Sequence, residues 1–157
     1  MPQQLDFDGV VSAWVKRTDE RMTAVFRESS SRIIEEMVRT VKEGGNMPVI
    51  TGFLRASLRV YIGGALTLST VGNPGKKVVA FSDSYRLTIA SAKIGDTISA
   101  VFVANYAMRI EHGFVGTDSL GREYNQGGRH FVKLAAQRWR TIVRQVSAEL
   151  KGRVGTP

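Results

Sequence analysis

Apolar residues return at three- and four-residue steps from about Asp8 to Glu43: Val11, Trp14, Val15, Met22, Val25, Phe26, Ile33, Met37, Val38 and Val41. Charged side chains occupy most positions between them, so the pattern predicts one long amphipathic helix over 8–43. Asp6 or Asp8 caps its start, and Gly44-Gly45-Asn46 ends it. At 1.5 Å per residue such a helix is about 54 Å long. A compact chain of this length is only about 30–35 Å across. Either the helix breaks near Ser29-Ser30-Ser31, three weak helix formers in a row, or part of it projects. A projecting apolar stripe needs a neighbour to cover it.

After Met47-Pro48 the period drops to two. Leu54, Ala56, Leu58, Val60 and Ile62 alternate with Arg55, Ser57, Arg59 and Tyr61, a strand pattern opened by one helical turn at Thr51 and closed by Gly63-Gly64. Residues 65–77 read as an exposed loop. Val78–Phe81 reads as a short strand, and Tyr85–Lys93 with Thr97–Ala104 as a hairpin turning at Ile94-Gly95-Asp96. Ile98, Val101, Phe102 and Val103 point to both faces, which predicts a central strand. The region 51–104 is thus expected to form the β-sheet. Then come a short helix over 105–113 closed by Gly113, a glycine-rich loop over 114–128, and a final helix over 129–151. That helix buries Phe131, Leu134, Ala135, Trp139, Ile142, Val143, Val146 and Leu150; Gly152 ends it before a short flexible tail. The expected class is α+β: a small antiparallel β-sheet packed by a long N-terminal helix, a short helix and a C-terminal helix. Trp14 and Trp139 lie on the apolar helix faces, where core packing is the default.

Length and composition narrow the function. The 157 residues fit a single domain over 1–157, and 43% hydrophobic with 23% charged residues is ordinary for a globular chain. The absence of cysteine excludes disulfides, thiolate zinc sites and a cysteine nucleophile. Met1–Asp6 lacks the features of a secretory signal, and no apolar run reaches the roughly 20 residues needed to span a bilayer, so the expected place of synthesis is the cytoplasm. The net charge of +8 is unevenly spread. Residues 1–43 hold seven basic and eight acidic side chains, whereas Arg129–Arg153 hold seven basic ones against Glu149 alone. Lys133, Arg140 and Arg144 form a candidate basic interface for an anionic partner, either nucleic acid or an acidic protein face.

Catalytic, cofactor and metal residues are expected to be none. His112 and His130 are the two histidines, and no cluster has metal-ligand spacing. Glu111 beside His112 is an imaginable acid–base pair, but helix neighbours point apart, and a C-terminal histidine near the negative end of a helix is the plainer account. The glycine-rich stretch at Gly113–Gly116 lacks the Lys-Ser/Thr of a phosphate loop.

Three segments in order carry a resemblance: Thr51-Gly52-Phe53-Leu54-Arg55-Ala56-Ser57, Tyr106-Ala107 leading to Glu111 and Gly113, and Arg129-His130-Phe131. Together they resemble the head–tail joining, neck or tail-completion proteins of long-tailed bacteriophages. In that family a Thr-Gly-x-Leu-Arg-x-Ser segment, a Tyr-Ala helix ending in Glu-x-Gly, and an Arg-Pro-Phe-like start to the last helix recur. Thr51, Gly52, Leu54, Arg55, Ser57, Tyr106, Ala107, Glu111, Gly113, Arg129 and Phe131 match, while His130 stands in place of the proline. The resemblance implies a structural virion protein of the neck or tail, made in the host cytoplasm, with no enzymatic activity, cofactor or membrane contact. Its implied partners are copies of itself in a ring, sixfold to match the tail, tail terminator or tail-tube proteins, neighbouring head-closure or connector proteins, and packaged DNA in passage. The alternative from the residues themselves is a small basic nucleic-acid-binding protein.

Overall fold

The computed structural model describes residues 6–64 and 68–153. Helix α1 runs unbroken over Phe7–Val38, about 48 Å by its residue count. Of the two alternatives, a break at Ser29–Ser31 does not occur; instead the first half of the helix stands exposed. All three serines are buried, because small side chains let the rest of the fold approach the helix closely; tertiary packing there outweighs their weak propensity. The helix also ends earlier than its pattern predicts. Arg39 is extended, and the chain folds back so that the Met47 N–H donates to Arg39 O at 3.1 Å. Burial of Met47 holds that reversal, while Val41, read as the last core position, is left half exposed in a 3-10 turn over Val41–Glu43. The Thr40 N–H and hydroxyl both donate to the Glu43 carboxylate, which holds its pKa below the usual value. Asp6 precedes the first turn without a side-chain cap bond.

A single turn α2 (Phe53–Ala56) leads into β1 (Leu58–Ile62), as the pattern at Thr51 predicts. β1 pairs antiparallel with β2 (Ile98–Phe102), Leu58 opposite Phe102 and Ile62 opposite Ile98. The predicted hairpin of 85–93 with 97–104 is replaced by this long-range pair, and Tyr85–Ala90 is helix α3. Tyr85, Leu87 and Ile89 alternate in sequence, but burial falls only on Tyr85 and Ile89, one helical turn apart, with Leu87 exposed. Val78–Phe81 forms no strand; the Val79 N–H donates to Thr51 O at 2.8 Å. β2 is not central either: among the described residues it gains, beyond β1, only a bridge between Val71 and Ala104. The predicted loop over 65–77 lies in part, at 65–67, outside the described residues.

Helix α4 (Ala107–His112) follows, and 114–128 is mostly a hairpin, β3 (Gly113–Thr117) with β4 (Glu123–Gly127). It read as loop because none of its residues is fully buried, so its strands need few apolar residues; the Phe114 and Tyr124 rings meet at a tilt, centroids 5.9 Å apart. The last helix is two segments, α5 (Phe131–Gln137) and α6 (Trp139–Arg153), meeting at Arg138. Helix α6 continues through Gly152, and the predicted tail at 154–157 lies outside the described residues. The class is α+β, with two separate two-stranded sheets among the described residues in place of one small sheet.

Two apolar clusters hold these elements. Ile34, Val38, Leu58, Tyr85 and Ile89 pack α1 and α3 on β1. Met47, Leu54, Ala104, Ala107 and Phe131 form the second, and Phe102 touches both. Helices α5 and α6 lie along the second half of α1, with Arg32 donating to both Glu149 oxygens at 2.9 and 2.6 Å and Arg138 pairing with Glu36. Hydrogen bonding to Glu149, and then to Glu28, raises the Arg32 pKa, while the Arg32 guanidinium holds that of Glu149 below its usual value. Such exposed pairs are screened by water and add little to stability.

Candidate assembly site

The three sequence segments meet in space. Leu54, Ala107 and Phe131, one from each, are all buried in the second cluster. The Phe131 ring packs edge-on against Phe102, centroids 5.2 Å apart, and Phe53 lies 6.2 Å from Tyr106. Gly52 is required at its position: φ is 81°, and a Cβ there would sit 2.5 Å from Val79 O. Thr51 Oγ1 accepts from the Phe53 N–H at 3.4 Å, and the Ser57 hydroxyl donates to Leu54 O at 2.7 Å, which fastens the turn to its own backbone. The Arg55 guanidinium lies 4.4 Å over the Phe81 ring.

Glu111 has the most defined role of the set. It is buried, and its two oxygens accept the N–H groups of Val132 and Lys133 at 3.0 and 2.9 Å. Those are free donors of the first turn of α5, so a carboxylate from α4 caps a helix twenty residues away. Main chain reinforces the junction: the Arg129 N–H donates to Ile110 O and the His130 N–H to Glu111 O. Gly113 turns with φ 87°, and Gly128 is packed so closely that a Cβ would lie 2.5 Å from Glu111 O. His130 adopts φ 50°, a left-handed conformation closed to proline, whose ring holds φ near −65°. His130 therefore leads into α5 with a backbone that a proline at this position could not adopt. This backbone also brings His130 edge-on to His112, ring centroids 6.5 Å apart.

Beside this junction is a groove of about 360 Å³ bordered by Ile50, Thr51, Gly52, Tyr106 and Arg129, with Ile50 almost wholly exposed. Burial pushes the Tyr106 phenol up in pKa, partly opposed by hydrogen bonding to the Leu54 backbone. Arg129 is exposed at its edge.

Lys133, Arg140 and Arg144 are exposed on α5 and α6, and none forms an ion pair among the described residues. Their spacings of seven and four put them on one stripe, opposite the buried Ala135, Ile142 and Val146. Lys151, seven residues on from Arg144 and also exposed, extends the stripe along α6. Sequence reasoning missed Lys151, although the heptad spacing to Arg144 was there to read. Trp14 and Trp139 are not core residues, being 62% and 39% exposed, and Leu134 is also partly exposed.

Asp118 was missed too. It organises the tip of the β3–β4 hairpin, accepting from the Arg122 and Leu120 N–H groups at 2.9 Å each, from Arg122 Nε at 2.7 Å and from the Tyr124 hydroxyl at 3.1 Å. The Asp-x-x-Gly turn at Asp118–Gly121 was the available signal. These donors, the Arg122 backbone foremost, lower its pKa to about 2. A carboxylate held below its unfolded value supports the ordered tip fully above about pH 4 and loses that support as pH falls through about 2. Nuclear magnetic resonance titration should place the Asp118 carboxyl midpoint near 2, with the Leu120 and Arg122 amide shifts following it. A midpoint near the ordinary 3.8 would show that the tip is not held this way.

Comparison with known protein families, with curated proteins and with solved structures found no match to this chain.

Proposed function

We propose that this chain is a structural protein of the neck or tail of a long-tailed bacteriophage. It forms a ring that completes the tail and joins it to the DNA-filled head, leaving a channel for DNA. The observation that carries the proposal is that Leu54, Ala107 and Phe131, drawn from the three family-like segments, share one buried cluster beside an exposed groove. The segments therefore act as one structural unit. A head-to-tail interface closing on itself builds such a ring, and sixfold symmetry matches a tail. No helix among the described residues is long and apolar enough to cross a membrane.

Electron microscopy of lysates from a phage with a nonsense codon in this gene tests the proposal. Filled heads beside unattached tails are expected; intact infectious particles would overturn it. Joining is assigned in part to the basic stripe, so Arg140→Glu with Arg144→Glu should reduce joined particles at least tenfold. Both side chains are exposed, so the unfolding free energy should stay within about 0.5 kcal/mol of the parent's. Normal joining by the double variant would remove the stripe from the interface.

The same unpaired stripe favours a second reading, a nucleic-acid-binding protein. Duplex binding that weakens steeply as salt rises, at affinities that persist at physiological ionic strength, would favour it over the neck.

A further inference from the structure

Among the described residues, the first half of α1 has no packing partner. Phe7, Val10, Val11, Trp14, Val15 and Met22 are 41–77% exposed, and every described residue from Asp6 to Met22 is exposed except Thr18, which is intermediate. These six side chains present roughly 600 Å² of apolar surface, at the upper end for the largest patch on a monomer. At 100° per residue they fall within an arc of about 140°. Its borders carry opposite charges: Arg17 and Arg21 lie along one, Asp8 and Asp19 along the other. None of the four forms an ion pair among the described residues, and Arg17 Nε rests on its own helix through Ala13 O at 3.3 Å.

We propose that this arm packs side by side, and in the same direction, with the arm of a second copy of the chain. Direction follows from the borders. Two facing parallel helices set the left border of one against the right border of the other, so arginine meets aspartate. Antiparallel helices set like borders together, so arginine faces arginine and aspartate faces aspartate, a mismatch that costs free energy. Contact on the apolar arc approaches the roughly 800 Å² per partner of a specific interface. It also stabilises a stretch of about sixteen residues that is marginal as an isolated helix in water. Each arm has one acidic and one basic border, so the contact can repeat around a cyclic axis with all arms pointing one way. The inference rests on the self-assembly part of the ring reading and assigns its interface.

Because the chain has no cysteine, single thiols report the geometry directly. Phe7→Cys and Met22→Cys proteins would be made separately and treated with a bismaleimide whose reach matches the roughly 8–10 Å between packed helix axes. Val78→Cys, on an exposed site away from the arm, serves as the control for chance collision. Each arm variant should cross-link to itself at least tenfold more than the control. In an antiparallel pair centred on the arm, the two thiols of the Phe7→Cys protein are about 22 Å apart, so only a mixture of the variants would link. Linking in the mixture alone, or no linking above the control, overturns the proposal. Light scattering on the parent protein separates this from the ring: an oligomer without arm cross-links removes the arm contact and leaves the ring standing. A monomer with no cross-links removes the arm contact, and the nonsense-codon phenotype then decides the neck function separately.

Discussion

Phe131→Ala is expected to lower the unfolding free energy by about 3–5 kcal/mol, the range for removing a buried aromatic ring. The ring is 2% exposed and is the side chain on which three separated segments converge. Truncation removes the edge-on contact with Phe102, which touches both clusters, so the loss reaches β2 as well as α5. Repacking offers little relief. Met47 is already fully buried, and Leu54 is bound into the turn at Gly52, whose backbone has no room beside Val79. For a chain of this size the midpoint of thermal unfolding should drop by roughly 10–15 °C. Phe131→Leu keeps most of the volume and should lose less than half as much. A loss below about 1 kcal/mol for the alanine variant would mean that the cluster does not depend on Phe131.

The parts of this fold legible in the sequence are those whose burial follows a local period. The stripe in α1 and the buried row Phe131, Ala135, Ile142 and Val146 repeat at helical spacing, and both became helices. The strand at Leu58–Ile62 shows its alternation in the same way. What failed was decided by distant contacts. Tyr85, Leu87 and Ile89 fit a strand as well as a helix, and only packing of Tyr85 and Ile89 with Ile34, Val38 and Leu58 selects the helix. β2 finds its partner some forty residues back, a pairing no local turn signal specifies. The β3–β4 hairpin is held by Asp118 and main-chain bonds more than by apolar burial, so hydrophobic periodicity had nothing to detect.

The same division runs through the candidate site. Composition alone marks Lys133, Arg140 and Arg144 as basic, and their outward direction follows from the buried row opposite. The function of Glu111 is different in kind. Its neighbour in sequence, His112, invited an acid–base pairing, yet its oxygens face the start of α5. No spacing rule links position 111 to 132 and 133; the hairpin between them brings the ends together. Likewise, Trp14 belonged to a helical stripe that predicted a core position, and the stripe is genuine but lies beyond the body of the protein.

Glu111→Ala is therefore expected to destabilise the fold by about 2–4 kcal/mol, through two orphaned donors and a lost charge at a helix N-terminus. The effect exceeds that of an ordinary exposed cap because the carboxylate is only 6% exposed, so water replaces it poorly. Glu111→Gln keeps one carbonyl oxygen to accept from Val132 or Lys133 and should cost about half as much. Chemical denaturation of the pair measures the difference, and amide exchange locates it. In the alanine variant, protection should fall first at Val132 and Lys133 and then along the rest of α5, before the second half of α1 is affected. The junction also joins the hairpin to the last helix, through the Glu111 carbonyl that accepts the His130 N–H and crowds Gly128. Loss of the side-chain cap should thus loosen the hairpin base while leaving the Asp118 tip intact, because the tip is held by its own donors. An alanine variant within about 0.5 kcal/mol of the parent, with exchange at Val132 and Lys133 unchanged, would show that the main-chain bonds hold α5 without the carboxylate.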